Sequence, residues 1–199
     1  MGKNNLIFGI HPLIEALEAG REIDKILLKR GLRSSEVSHI MDVAKERMIP
    51  VQIVPEERLT RLTRKQHQGV IAFISEIEYT QLDQLIPMLY EEGRSPFVVL
   101  LDGLTDVRNF GAIARTAECA GVDAIIIPER GSVSVTADAI KTSAGALHRI
   151  PVCRVSSIQA AVTLLQENGI QIVAASEKAA DIYTESELSL PLGLVLGAE

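Results

Sequence analysis

An amide and a guanidinium, Asn109 and Arg115, stand six positions apart in the run LDGLTDVRNFGAIARTAECAG, Leu101 to Gly121. They are set among Gly111, Ala112, Ala114, Ala117 and Ala120, small residues that read as a tightly packed helix. The helix opens after an apolar strand, Phe97–Asp102, and a turn-rich link through Gly103 and Asp106. A strand end leading into a helix N-terminus is where open α/β sheets place ligands, because backbone N–H groups and the helix dipole converge there. A carboxamide and a planar cation added at that point suit an anion, and a phosphate above all.

The run contains neither G-x-G-x-x-G nor G-x-x-x-x-G-K-[ST], which removes the main support for a nicotinamide or P-loop site. It resembles instead the first signature of the SpoU family of RNA ribose 2′-O-methyltransferases, within the SPOUT superfamily of TrmH-like proteins. Leu101, Asp102, Asp106, Asn109, Gly111, Ala112, Arg115, Thr116 and Ala117 carry that likeness. The closing stretch Leu192-Gly-Leu-Val-Leu-Gly-Ala-Glu199 is similar to the start of the family's second signature, an apolar strand followed by L-G-x-E. Phe8-Gly-Ile-His-Pro-Leu-Ile-Glu-Ala-Leu17 resembles the opening of the small RNA-binding domain that many members carry, as the bacterial 23S rRNA guanosine 2′-O-methyltransferases do. The family continues past the equivalent of Glu199 through a third signature rich in Ser, Leu and Asn. On this likeness the chain reads as truncated before that motif.

The resemblance implies S-adenosyl-L-methionine as cofactor, RNA as substrate (ribosomal RNA ahead of transfer RNA) and a homodimer. It implies that Asn109, Arg115 and Glu199 are catalytic, with Glu199 ordering the other two. Cofactor contacts then fall on Leu196 and Gly197, with Ser176 in a third loop after the strand Ile170–Ala175. Methylating a ribose hydroxyl requires a weak nucleophile to be held in line and its negative charge to be stabilised as it develops. Because a guanidinium holds its proton, Arg115 serves better as electrostatic support than as a free base. The alternatives are ordinary structure: a salt bridge from Arg115 to Glu118 or Asp106, and Asn109 as the cap of its helix.

These residues need a scaffold, and the remaining sequence supplies one. Beyond residue 96, strands at 97–102, 124–127, 152–155, 170–175 and 192–196 alternate with helices at 109–120, 137–147 and 157–167. Apolar strands separated by helices imply a parallel, Rossmann-like sheet covered on both faces. Periodicity licenses nothing rarer, but the family likeness implies a trefoil-knot domain whose threading segment lies past Glu199. Ser156 with Gln159 forms a capping box for the helix at 157–167. Residues 1–76 read as a separate small α/β domain, with helices near 12–17, 37–48 and 56–62 and strands at 23–28, 51–54 and 69–75. The polar stretch 77–96, with one helix at 81–92, reads as the linker, although its Leu82, Leu85, Ile86 and Leu89 could dock on either domain.

Net charge is −6, which argues against a protein that grips nucleic acid over its whole surface. The charge is unevenly spread, however. Residues 1–76 hold 12 Lys and Arg against 10 acids, whereas 77–199 hold 8 against 16. The first part carries two basic clusters, Lys25, Lys29, Arg30 and Arg33, then Arg58, Arg61, Arg64 and Lys65 with His67. Of these, Lys29, Arg30, Arg33, Arg58, Arg61, Arg64 and Lys65 are the candidate RNA contacts, with 58, 61 and 65 on one helical face. The two cysteines, Cys119 and Cys153, lack metal-ligand spacing and read as reduced, buried thiols of a cytoplasmic protein. His148 reads as a surface or packing residue. No membrane span or metal site is expected. The alternative function is a non-catalytic RNA-binding protein using the same basic surface, and a small-molecule α/β enzyme stands third.

Overall fold

The computed structural model describes residues 6–197, and the chain divides into two compact units, Met1–Glu76 and Ile77–Glu199. In the first unit, β1 (Leu6–Phe8), β2 (Ile23–Lys29), β3 (Val51–Val54) and β4 (Val70–Ile74) form a mixed sheet in the order β1-β4-β2-β3. Helices α1 (Ile10–Glu18) and α2 (Ser35–Glu46) bury Leu13, Leu17, Val37, Ile40 and Ala44 on one face of that sheet. The short α3 (Glu56–Leu62) packs on the other face, through Leu59 on Leu27, Val54 and Ile71. Helix α1 begins at Ile10, two residues before the expected start, so Pro12 is its third residue. Lys65 lies beyond the end of α3, so it does not continue the helical face of Arg58 and Arg61.

The second unit is a six-stranded sheet, parallel throughout, in the order β5-β8-β7-β6-β10-β9. Its strands are β5 (Tyr79–Thr80), β6 (Phe97–Asp102), β7 (Ala124–Pro128), β8 (Val152–Val155), β9 (Gln171–Ala175) and β10 (Leu192–Gly197). Helices α5 (Val107–Cys119) and α6 (Ala137–Thr142) pack on one face over Val99, Leu101, Ile125 and Ile127. Helices α4 (Leu82–Glu91) and α7 (Ile158–Glu167) pack on the other over Val98, Leu100, Ala124 and Ile126. The apolar runs of the strands are therefore covered on both faces, as expected of a parallel sheet.

Three local expectations are corrected. Residues 77–96 do not form a free linker: β5 pairs with β8 at the sheet edge, and α4 buries Leu82, Leu85, Ile86 and Leu89. Each such side chain contributes about 1.5–3 kcal/mol on burial, enough to hold this polar stretch down. The helix expected over 137–147 stops at Thr142, because Ala144 and Gly145 adopt positive φ and a short 3-10 turn, Ala146–His148, follows. The cap of α7 is Ser157 and not Ser156, its hydroxyl accepting from Ala160 N at 3.1 Å.

Candidate active site

Helix α5 begins one short link past the end of β6, and Asp106 caps it by accepting from Asn109 N at 2.7 Å. Asn109 is thus the third residue inside the helix and not its cap, so its carboxamide is not committed to a capping bond. Phe110, Gly111, Ala114 and Ala117 turn inward. Gly111 is required there: a Cβ would lie 2.7 Å from Thr142 Cβ and 2.9 Å from the Ala139 carbonyl oxygen of α6. The small residues of this helix therefore let α5 seat against α6 and the sheet, which fixes its outward face.

That outward face carries Arg108, Asn109, Ala112, Arg115 and Thr116, all exposed. Arg108 and Arg115 are seven residues apart, so they project in nearly the same direction two turns from each other. Arg108 was not among the residues the sequence pointed to, although the i, i+7 spacing is the signal that reveals it. Neither of the acids expected to neutralise Arg115 does so. Asp106 caps the helix, and Glu118 accepts from Arg149 Nε at 2.7 Å. The hydrogen bond and charge of Arg149 hold the Glu118 carboxyl below the ordinary carboxylate range, and Glu118 raises Arg149 in turn. Among the described residues Arg115 has no ion pair.

The neighbouring strand ends line up with this helix. Gly197 pairs with Asp102 at the end of β6, and Leu196 pairs with both Leu101 and Ala175. Ser176 follows β9 directly, so the sequence candidates Ser176, Leu196 and Gly197 meet at one carboxyl edge. From β6 the chain winds outward through β7 and β8, then crosses to place β9 and β10 on the opposite side. The ends of β6 and β10 are therefore the switch point where open parallel sheets bind ligands. Among the described residues, a Cβ at Gly197 would meet no atom within 4 Å. The Ser176 hydroxyl accepts from Lys178 N at 3.2 Å, which makes it a turn residue first. Glu199 lies outside the described residues. His148 is exposed on its 3-10 turn.

In the first unit the structure brings together two basic clusters that are remote in sequence. Strands β1 and β2 run antiparallel to β4, and β3 runs parallel to β2, so the loops after β1, β2 and β3 and the loop before β4 share one end. Backbone bonds tie them: Lys29 N to Gly69 O at 2.8 Å and Arg30 N to Val54 O at 2.8 Å. Lys29, Arg30 and Arg33 leave β2 there, Arg58 and Arg61 lie on α3, and Arg64 and Lys65 lie in the loop before β4. All but the half-buried Lys29 are exposed, and Lys29 pairs with Glu56 at 2.5 Å. That hydrogen bond and the ammonium charge hold the Glu56 carboxyl below its ordinary range.

The model of the SpoU rRNA Methylase family matches residues 96–199, more than half of the chain. The chain belongs to the SpoU family. A second family model, RNA 2′-O ribose methyltransferase substrate binding, matches residues 6–80. Among its SpoU relatives, a protein assigned to the TrmH family of tRNA/rRNA methyltransferases in Staphylococcus haemolyticus is 38% identical over 194 residues, 98% of this chain and 78% of its own. A Staphylococcus aureus counterpart is 36% identical over 197 residues, covering 99% and 79%. The rRNA methyltransferase of Sinorhizobium meliloti shares the fold, with a TM-score of 0.53 at 23% identity over 97% of this chain and 70% of that one. So does the SpoU methyltransferase AviRb of Streptomyces viridochromogenes, solved in complex with AdoMet, with a TM-score of 0.53 at 21% identity over 96% and 72%.

Proposed function

We propose that this SpoU protein transfers a methyl group from S-adenosyl-L-methionine to a ribose 2′-hydroxyl of RNA, ribosomal RNA in preference to transfer RNA. The observation that carries the reading is Arg115: an exposed guanidinium, without an ion pair among the described residues, on the helix that starts at the switch point of a parallel sheet. When bound, the cofactor supplies an activated methyl group. The backbone of Leu196 and Gly197 at the carboxyl end of β10 would hold it, with Ser176 at the adjacent strand end.

The protein's own groups act on the RNA. Arg115 engages the phosphate beside the target ribose and stabilises the negative charge that develops on the 2′-oxygen as its proton leaves. Asn109, about one and two-thirds turns earlier on α5, offers a carboxamide that can donate to the same sugar-phosphate and orient it. The close seat of Gly111 on α6 fixes the helix backbone that carries both side chains, which supports the positioning that in-line attack requires. The basic end of the first unit holds RNA flanking the target through its phosphates, in a grip weakened by salt.

The test is to incubate the full-length protein with methyl-labelled cofactor and either ribosomal or transfer RNA, then hydrolyse the product in alkali. A 2′-O-methylated ribose cannot cyclise, so label retained in alkali-resistant dinucleotides from ribosomal RNA supports the reading. Label in mononucleotides would mean base methylation, and RNA binding without label would leave the non-catalytic alternative.

A further inference from the structure

The basic end of the first unit contains a recess of about 330 Å³, lined by Lys29, Glu56, Lys65, Gln66, His67 and Gln68. Its floor is Leu32 packed against Gly69, and Gly69 holds φ +81°. A Cβ at Gly69 would come within 3.0 Å of Leu32 Cδ2 and 3.1 Å of Lys29 Cβ, so any other residue pushes these side chains toward the recess.

Some of the polar lining is already spent. Glu56 is paired with Lys29, and Gln68 Oε1 accepts from Ile10 N at 3.3 Å. His67 Nδ1 accepts from Gly69 N at 3.0 Å, which leaves Nε2 to carry the proton of the neutral ring and to donate. What remains is a specific set: an imidazole N–H, the Gln66 carboxamide with no side-chain bond among the described residues, and the Lys65 ammonium. The Lys65 ammonium sits 5.2 Å from the centroid of the half-buried Phe8 ring.

We infer that this recess receives one unpaired nucleotide of the RNA; the inference rests on the RNA reading above. A carboxamide and an imidazole N–H match the exposed donors and acceptors of a free base edge, and the ammonium matches its phosphate. A paired base has its edge already occupied and is stacked on both sides, so a duplex does not fill the recess. The surrounding arginines contact backbone and are indifferent to this distinction.

The experiment uses the full-length protein and two RNA hairpins of equal length and charge, one fully paired and one with a single bulged 2-aminopurine. The bulged hairpin should bind about tenfold more tightly, with a change in 2-aminopurine fluorescence on binding. Gln66→Ala and His67→Asn should each erase most of that preference and leave paired-hairpin affinity unchanged. Asn at position 67 can still accept from the N–H two residues on, which preserves the turn. Arg61→Gln with Arg64→Gln should weaken both hairpins alike. Equal binding of the two hairpins by the unaltered protein, or equal losses on both in the position-66 and position-67 variants, overturns the recess and leaves the RNA reading intact. Failure to bind either hairpin at low salt overturns both.

Discussion

Glu118 lies three residues beyond Arg115 on α5, a spacing suited to an ion pair, yet its carboxylate accepts from Arg149 Nε at 2.7 Å. Arg149 comes from the segment that follows the 3-10 turn after α6, so a separate part of the chain keeps the neighbouring acid away from Arg115. The pair is exposed, and its direct contribution to stability is small. Its consequence is electrostatic, because among the described residues it leaves Arg115 without an acidic partner.

Arg149→Ala should therefore lower methyl transfer with little loss of stability, because the freed Glu118 can turn to Arg115. Adding Glu118→Ala should restore much of the rate. The check is single-turnover methylation of the two single variants and the double variant. Simple additivity would mean that Glu118 and Arg149 act independently of Arg115.

Capping and site effects at the start of α5 should separate between two residues. Asp106→Ala removes the cap and should cost about 1 kcal/mol of stability. Asn109→Ala removes no cap and should leave the melting temperature nearly unchanged while reducing turnover. Equal destabilisation by the two substitutions would put Asn109 back into a structural role.

Gly111→Ala should destabilise by about 1–3 kcal/mol, since the new Cβ meets a side-chain carbon and the backbone of α6 and neither is a flexible tip. Ala112→Ser, one residue on and exposed, is the control and should melt normally. Denaturant unfolding of both variants reads the difference.

Burial, with a smaller contribution from Asp83, pushes the Cys153 thiol up to about 12, whereas Cys119, expected to be buried as well, is exposed near the end of α5. At neutral pH one thiol should react with a water-soluble alkylating reagent in the native protein and two after unfolding. Because the folded value of Cys153 is raised, its contribution to stability is complete below the unfolded thiol's pKa, roughly 8.5, and is lost as pH rises from there toward 12. The stability gap between the wild type and Cys153→Ala should narrow across that range. A gap independent of pH would contradict the burial of the thiol.

The elements of the second unit were largely legible because buried parallel strands read as apolar runs and their helices as periodic ones. What escaped had specific physical causes. Residues 77–96 look like a linker because β5 is only two residues long and α4 is polar outside its buried stripe. Asp106 and Asn109 are both good capping residues three positions apart, and one-dimensional pattern does not choose between them. The convergence of Lys29, Arg30 and Arg33 with Arg58, Arg61, Arg64 and Lys65 is a property of strand direction, invisible until β4 is seen to run against β2. The recess around His67 and Gln66 was hidden for the same reason.

Arg61→Gln, Arg64→Gln and Lys65→Gln together should weaken RNA binding at low salt and reduce the slope of log affinity against log salt by up to about 3, near one for each phosphate no longer neutralised. An unchanged slope would make this cluster a solvated surface only.

The most direct test of the site is single-turnover methylation of an RNA fragment by Arg115→Ala in the full-length protein, alongside calorimetric titration of S-adenosyl-L-methionine. A rate loss of about 10²–10³ with cofactor affinity nearly intact is expected, because the missing charge faces the RNA oxygen and not the cofactor. Arg115→Lys should recover only part of the loss, since it keeps the charge and lacks the planar fork. Near-normal turnover by Arg115→Ala would contradict the account.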